Sequence, residues 1–322
     1  MPTQKIFPGI SLNDFIQLPH GVTLLGMSGV GKTLLSTLLR NSANWFHYSA
    51  DYRIGTRYLA EHILDNIKFK IMRMHDPFVA NLLRSDSIYI NHNITVDNLQ
   101  PVSTFLGMYG DTKLGGLDKK TFLERQKLYQ LAEIESMKDV RRFIEKSWKI
   151  YNCTNFVNDA SGSLCEICEP ENKSDTVINA LHGITLIVYI KADKAHEQEI
   201  ITRAKTSPKP LFYNPSFIMP RLKEMPETGT GIDPLTFAKP LFPQLLKFRT
   251  PRYNAIAKNY GFTVQIKDLL NLDNGQNSTP ISEQFLRLIY KSAISAAKNS
   301  DAAAKTFRNY IDTCIARSKS RT

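Results

Sequence analysis

The short run Gly21-Val-Thr-Leu-Leu25 passes directly into Gly26-Met27-Ser28-Gly29-Val30-Gly31-Lys32-Thr33, and Leu34 to Leu39 follow without a break. An apolar run of that length reads as a buried strand, and the leucines after it recur at helical spacing. A strand that turns through glycines straight into a helix begins a βαβ unit, which commits the chain to an α/β fold with a parallel sheet.

The turn has the spacing G-x-x-x-x-G-K-T, a Walker A phosphate-binding loop. Its glycines let successive main-chain N–H groups face inward, and the helix that follows offers its positive end to the same point. Residues Gly26, Met27, Ser28, Gly29, Val30, Gly31, Lys32 and Thr33 are therefore expected to hold ATP. Lys32 would neutralise phosphate charge, and Thr33 would hold Mg²⁺. The expected fold is the three-layer P-loop NTPase fold, with a helical insertion and a C-terminal helical extension.

Phosphoryl transfer also needs metal-organising acids, cations on the moving group and a residue that orients the acceptor. Trp45 to Ala50 reads as a second strand that releases Asp51-Tyr52-Arg53 at its carboxyl end, where ligands of open α/β sheets bind. Asp51 is a candidate for the metal or the acceptor hydroxyl, and Arg53 and Arg57 for an acceptor anion; a surface ion pair is the commoner fate of a single arginine. Thr154 to Asn158 reads as a third strand ending at Asp159. That acid either organises Mg²⁺ or caps a helix after Ser163.

The remaining pattern places helices from about 55 to 150, with Leu131, Ile134, Met137, Val140, Ile144 and Trp148 three or four apart. Asn91 to Gly116 reads as a long loop between them. Ile184 to Ile190 is the clearest buried strand, and Ala195 to Lys205 a polar helix. Prolines at 208, 210, 215, 220, 226, 234, 240 and 243 leave a lid-like segment over about 206–243. A helix over Arg252 to Asn259, a last strand over Phe262 to Ile266 and terminal helices over Ser282 to Arg317 complete the chain. This divides it into a nucleotide-binding domain, 1–275, and a helical extension, 276–322.

Composition narrows the partners. The formal charge of +11 suits any anion, so it does not choose between ATP, an acidic metabolite, nucleic acid and an anionic membrane. The excess of Lys and Arg near the C-terminus leaves nucleic acid open as a partner, yet the chain shows no aromatic-basic interleaving of the kind that binds single strands. A solvated helix face with a basic tail explains those charges as well. No apolar stretch approaches the roughly 20 residues of a membrane span, and the start MPTQKIFPGISL lacks a secretory core, so the expected location is the cytoplasm without a membrane partner. Four cysteines make no disulfide framework; Cys165-Glu-Ile-Cys168 reads as a plain pair of small residues rather than zinc or redox chemistry.

The order of these parts resembles the shikimate kinase group of P-loop small-molecule kinases. Gly26 to Thr33, Asp51, the small-residue turn Ser161-Gly162-Ser163 and Arg203 before Lys209-Pro210-Leu211 carry the resemblance, with Ser-Gly-Ser standing where that family has three glycines. Phe248-Arg249-Thr-Pro251-Arg252-Tyr253-Asn-Ala-Ile-Ala257 is similar to the family's Arg-x-Pro-x-Tyr-x-x-x-Ala stretch. Asp51-Tyr-Arg53 is similar to the acid-arginine motif of adenylylsulfate kinases. The resemblance implies that Arg203 contacts ATP phosphates and that Arg249 binds acceptor, and it makes Lys32, Asp51 and Arg203 the catalytic set. The chain as a whole also looks like bacterial proteins labelled only "ATPase". A kinase acting on a small anionic or hydroxylated metabolite is the reading adopted. ATP hydrolysis coupled to a conformational change or a partner, and GTP hydrolysis through Asp159-Ala-Ser-Gly162 with Asn172-Lys-Ser-Asp175 or Ile190-Lys-Ala-Asp193, are the alternatives. The oligomeric state and the acceptor are not written in the sequence.

Overall fold

Five parallel strands, β1 (Gly21–Leu25), β2 (Trp45–Ser49), β3 (Asn155–Asp159), β4 (Leu186–Lys191) and β5 (Gly261–Gln265), form one sheet in the order β2-β3-β1-β4-β5. The fold is α/β with an all-parallel sheet. The computed structural model describes residues 9–42, 44–74, 76–272 and 279–321. They divide into two units: the sheet unit is the chain up to Ala50, Met137–Ser207 and the chain from Leu241, and the second is Asp51–Ser136 with Pro208–Pro240.

β1 is central and every one of its residues is buried, as a parallel strand covered on both faces must be. Burying Val22, Leu24 and Leu25 is worth about 1.5–3 kcal/mol for each side chain. Helices cover both faces. Phe285 of the helix Ile281–Asn299 meets Trp45 edge-on at 6.1 Å, while Tyr253 of the helix Leu241–Tyr260 stacks on Tyr189 of the opposite face at 5.2 Å. From β1 the chain crosses to β2 on one side of the sheet, and from β3 it crosses back over β1 to β4. Open α/β sheets bind ligands at the carboxyl ends of strands where the winding reverses in this way.

The helix Leu241–Tyr260 runs through Pro251, whereas the sequence suggests a start at Arg252. A proline inside a helix costs about 3 kcal/mol. Here Leu245, Leu246, Arg249, Tyr253 and Ile256 are buried at helical spacing on both sides of it, and that packing overrides the local preference.

The helices Ile281–Asn299 and Asp301–Lys319 belong to the sheet unit, packing on each other and on β5. Ser300 caps the second, its Oγ accepting the N–H of Ala303 at 3.3 Å. Phe15 of the helix Leu12–Gln17 closes the cluster, 5.2 Å from Tyr290 and 5.7 Å from Phe307. The expected domain boundary at residues 275 and 276, and residues 1–8 with the start expected to lack a secretory signal, lie outside the described residues. Among the described residues, no helix is long and apolar enough to cross a membrane.

The second unit holds the helices Ala60–Met72, Pro77–Arg84, Gln100–Leu106, Pro215–Leu222 and Pro234–Ala238 and the part of Lys119–Lys138 up to Ser136. Two expectations change here. Asn91 to Gly116 is not a continuous loop, because Pro101 stands in the first turn of a helix that ends at Gly107, and a 3₁₀ turn follows at Thr112–Leu114. Two prolines of the 206–243 segment start helices: Pro215 follows the cap Asn214 and Pro234 the cap Asp233. The two segments clasp each other, with Asp111 N–H donating to Ile232 O at 2.8 Å and the Tyr109 hydroxyl to Pro226 O at 2.6 Å.

Candidate functional site

The loop that leaves the carboxyl end of β1 has φ of +95° at Gly29 and +86° at Gly31, left-handed values that side chains resist. Gly31 is the cap of the helix Lys32–Asn41. Lys32 folds back over the loop, and its Nζ donates to Gly26 O at 2.7 Å and Met27 O at 3.2 Å. Among the described residues no acceptor takes the N–H of Ser28, Gly29, Gly31 or Thr33. Ser28, Gly29, Gly31 and Thr33 are exposed residues at or beside the N-terminus of the helix Lys32–Asn41, its positive end.

Arg203 comes to the same place from the helix Lys194–Thr206: its Nη2 lies 3.7 Å from where a Cβ on Gly29 would stand. Its ion pair with Glu199, at 3.7 Å, is exposed and loose, so the guanidinium can turn.

β3 lies beside β1, with Asp159 in register with Leu24, one residue before β1 ends. Asp159 does not cap the turn after Ser163: that 3₁₀ turn, Leu164–Glu166, is capped by Ser163 itself, without a side-chain bond. The Asp159 carboxylate instead faces the imidazole of His47 on β2, Oδ2 to Nε2 3.4 Å. The Ser161-Gly162-Ser163 turn packs on the loop, where a Cβ on Gly162 would come within 2.9 Å of Ser28 N. The glycine is required there by close approach.

Behind the loop lies a buried charged cluster. Arg249 is 1% exposed, donates from Nε to Glu166 Oε1 at 2.6 Å, and reaches Met27 Sδ at 3.6 Å with Nη1. Burial alone would lower the Arg249 pKa, but Glu166, Tyr253 and Cys165 beside it together offset that and hold it above its usual value. Tyr253 donates to Gly162 O, tying the same helix to the turn. Arg249, expected to meet an acceptor, faces inward on Glu166 and supports the loop from below.

Asp51, Arg53 and Arg57 belong to the second unit. Asp51 Oδ1 accepts from the Tyr129 hydroxyl at 3.1 Å, the Arg53 guanidinium lies 5.6 Å from the Tyr58 ring, and Arg57 sits in the π-helical turn Ile54–Tyr58.

The two stretches weighed for guanine recognition have their aspartates occupied. Asp175 caps the helix Thr176–Leu181, accepting from Val177 and Ile178 N–H, and Asp193 caps the helix Lys194–Thr206 through His196 N–H. Cys165 and Cys168 are free thiols and buried, and burial pushes the Cys165 pKa up to about 12, which disfavours its thiolate. Among the described residues no group of three His, Cys, Asp or Glu is placed to hold a metal.

Sequence reasoning gave no role to His47 or Glu166, and named Tyr253 only as part of the Arg249 to Ala257 stretch. His47 had a readable signal of its own, since it alternates with Ser49 on a strand and so shares the face of the Asp159 carboxylate. No protein-family model, curated protein or solved structure matches the chain.

Proposed function

We propose that the chain is a P-loop NTPase that binds ATP with Mg²⁺ on Gly26–Thr33 and transfers the γ-phosphoryl group to a small anionic or hydroxylated acceptor. The observation that carries this reading is the set of unmet N–H donors on Ser28, Gly29, Gly31 and Thr33 with Lys32 folded over them. Exposed donors concentrated at a helix N-terminus fit the oxygens of a polyphosphate.

Each part of the site then has a task. Lys32 exchanges its carbonyl partners for phosphate oxygens. The Thr33 hydroxyl and the Asp159 carboxylate would hold the cation, which when bound screens charge on the β- and γ-phosphates. Arg203 turns from Glu199 onto the loop and meets negative charge as it builds on the moving group. Glu166, Arg249 and Tyr253 keep Met27 and Gly162 in place beneath it. On the second unit, Asp51 could take a proton from a hydroxyl and Arg53 and Arg57 could hold an anion, the chemistry such an acceptor calls for. ATP is favoured over GTP because Asn172-Lys-Ser-Asp175 precedes β4 and Ile190-Lys-Ala-Asp193 has an apolar residue where guanine reading needs a polar one.

The test is incubation of the full chain with γ-labelled ATP, Mg²⁺ and a panel of hydroxylated and anionic metabolites. Label should move to one acceptor class and fail to move in Lys32→Met. Release of free phosphate at the same rate with every metabolite would overturn the transfer reaction and leave only the nucleotide site.

A further inference from the structure

The contact between β2 and β3 places one more residue in the site. Ser49 is opposite Asp159 and His47 opposite Val157, so His47 stands one pair behind Asp159 on the same face of the sheet. The His47 side chain is 1% exposed, and neither ring nitrogen has a hydrogen-bond partner among the described residues. Nε2 is nonetheless 3.4 Å from Asp159 Oδ2, close to hydrogen-bonding distance without forming the bond. A polar ring without partners is a costly occupant of a strand that could bury an apolar residue at the same point. The group it faces accounts for its presence.

We infer that His47 is a positioning residue for Asp159: its Nε2–H holds Oδ2, fixes the carboxylate beside the loop, and leaves Oδ1 for the cation. This rests on the proposed Mg²⁺ role of Asp159. Partners that orient a metal-binding carboxylate in this way typically affect metal affinity by about 10- to 100-fold. They leave the rest of the ligand's binding alone.

The experiment is a titration of Mn²⁺, followed by its paramagnetic signal, into the full chain saturated with a non-hydrolysable ATP analogue. The glutamine amide nitrogen reproduces Nε2 and that of asparagine reproduces Nδ1. His47→Gln should therefore keep Mn²⁺ affinity within about twofold, and His47→Asn should lose about tenfold or more. Metal-free analogue affinity should be equal in all three proteins, which also reports that each has folded. If His47→Asn does not fold, His47→Gln decides alone, because a fall of tenfold in that variant contradicts the role of Nε2. Equal Mn²⁺ affinities in wild type and both variants, or equal losses in both, overturn the role of His47 while the nucleotide site stands. A wild type that binds no analogue overturns the nucleotide site and this inference with it.

Discussion

The ammonium of Lys32 lies 2.7 Å from the carbonyl oxygen of Gly26, the first residue of the loop it belongs to. A cation hydrogen-bonded to its own backbone ties the loop together, and under the proposed function it already stands where a phosphate would sit.

Replacing Lys32 with Met should therefore weaken ATP binding by about 10- to 100-fold, the worth of a hydrogen bond to a charged group. Equilibrium dialysis with labelled ATP measures it. Unchanged affinity would remove the lysine from the site.

Glu166 and Arg249 are both buried and meet at 2.6 Å, so removing one charge strands the other. Glu166→Gln should cost about 3–5 kcal/mol in urea unfolding. Asp65→Asn, which breaks the exposed pair with Lys68, should cost less than about 1 kcal/mol. Equal costs would mean that the Arg249 cluster does not support the loop as described.

His20 gives the fold a pH dependence. Its Nε2 faces the Phe15 carbonyl at 2.8 Å, and a carbonyl only accepts, so Nε2 carries the proton. Nδ1 then accepts from the Tyr310 hydroxyl at 3.0 Å, whose oxygen accepts the N–H of Gly21 at 3.2 Å. Burial lowers the imidazole pKa to about 4, against the raising effect of the Phe15 carbonyl and with help from Arg317. As pH falls, the unfolded chain binds the proton first. Stability present above about pH 6.5 is therefore lost down to about pH 4, by about 3 kcal/mol in all. Urea titrations at pH 7 and pH 4.5 should show this loss in wild type and a flatter profile in His20→Gln. Identical slopes would contradict it.

The parts legible in the sequence were those fixed by local chemistry. The glycine-rich turn could be read because left-handed backbone at Gly29 and Gly31 calls for glycine, and β1 and β4 because short apolar runs between turns leave a buried strand as the natural reading. Arg249 could not be placed from the sequence. Its partner Glu166 is 83 residues away, and each looks like any charged residue until the fold closes them together. The helix through Pro251 and the helix Gln100–Leu106 were hidden for the opposite reason, since tertiary packing overrode a proline signal in one and a polar, Pro- and Gly-marked stretch concealed a start in the other.

Calorimetric titration of Mg·ATP into the wild-type chain is the most direct measurement of the central claim. The account predicts saturable uptake of one ATP per chain, competed by other purine triphosphates more weakly than by ATP itself. No heat at any ATP concentration, with the chain folded and magnesium in excess, would contradict it.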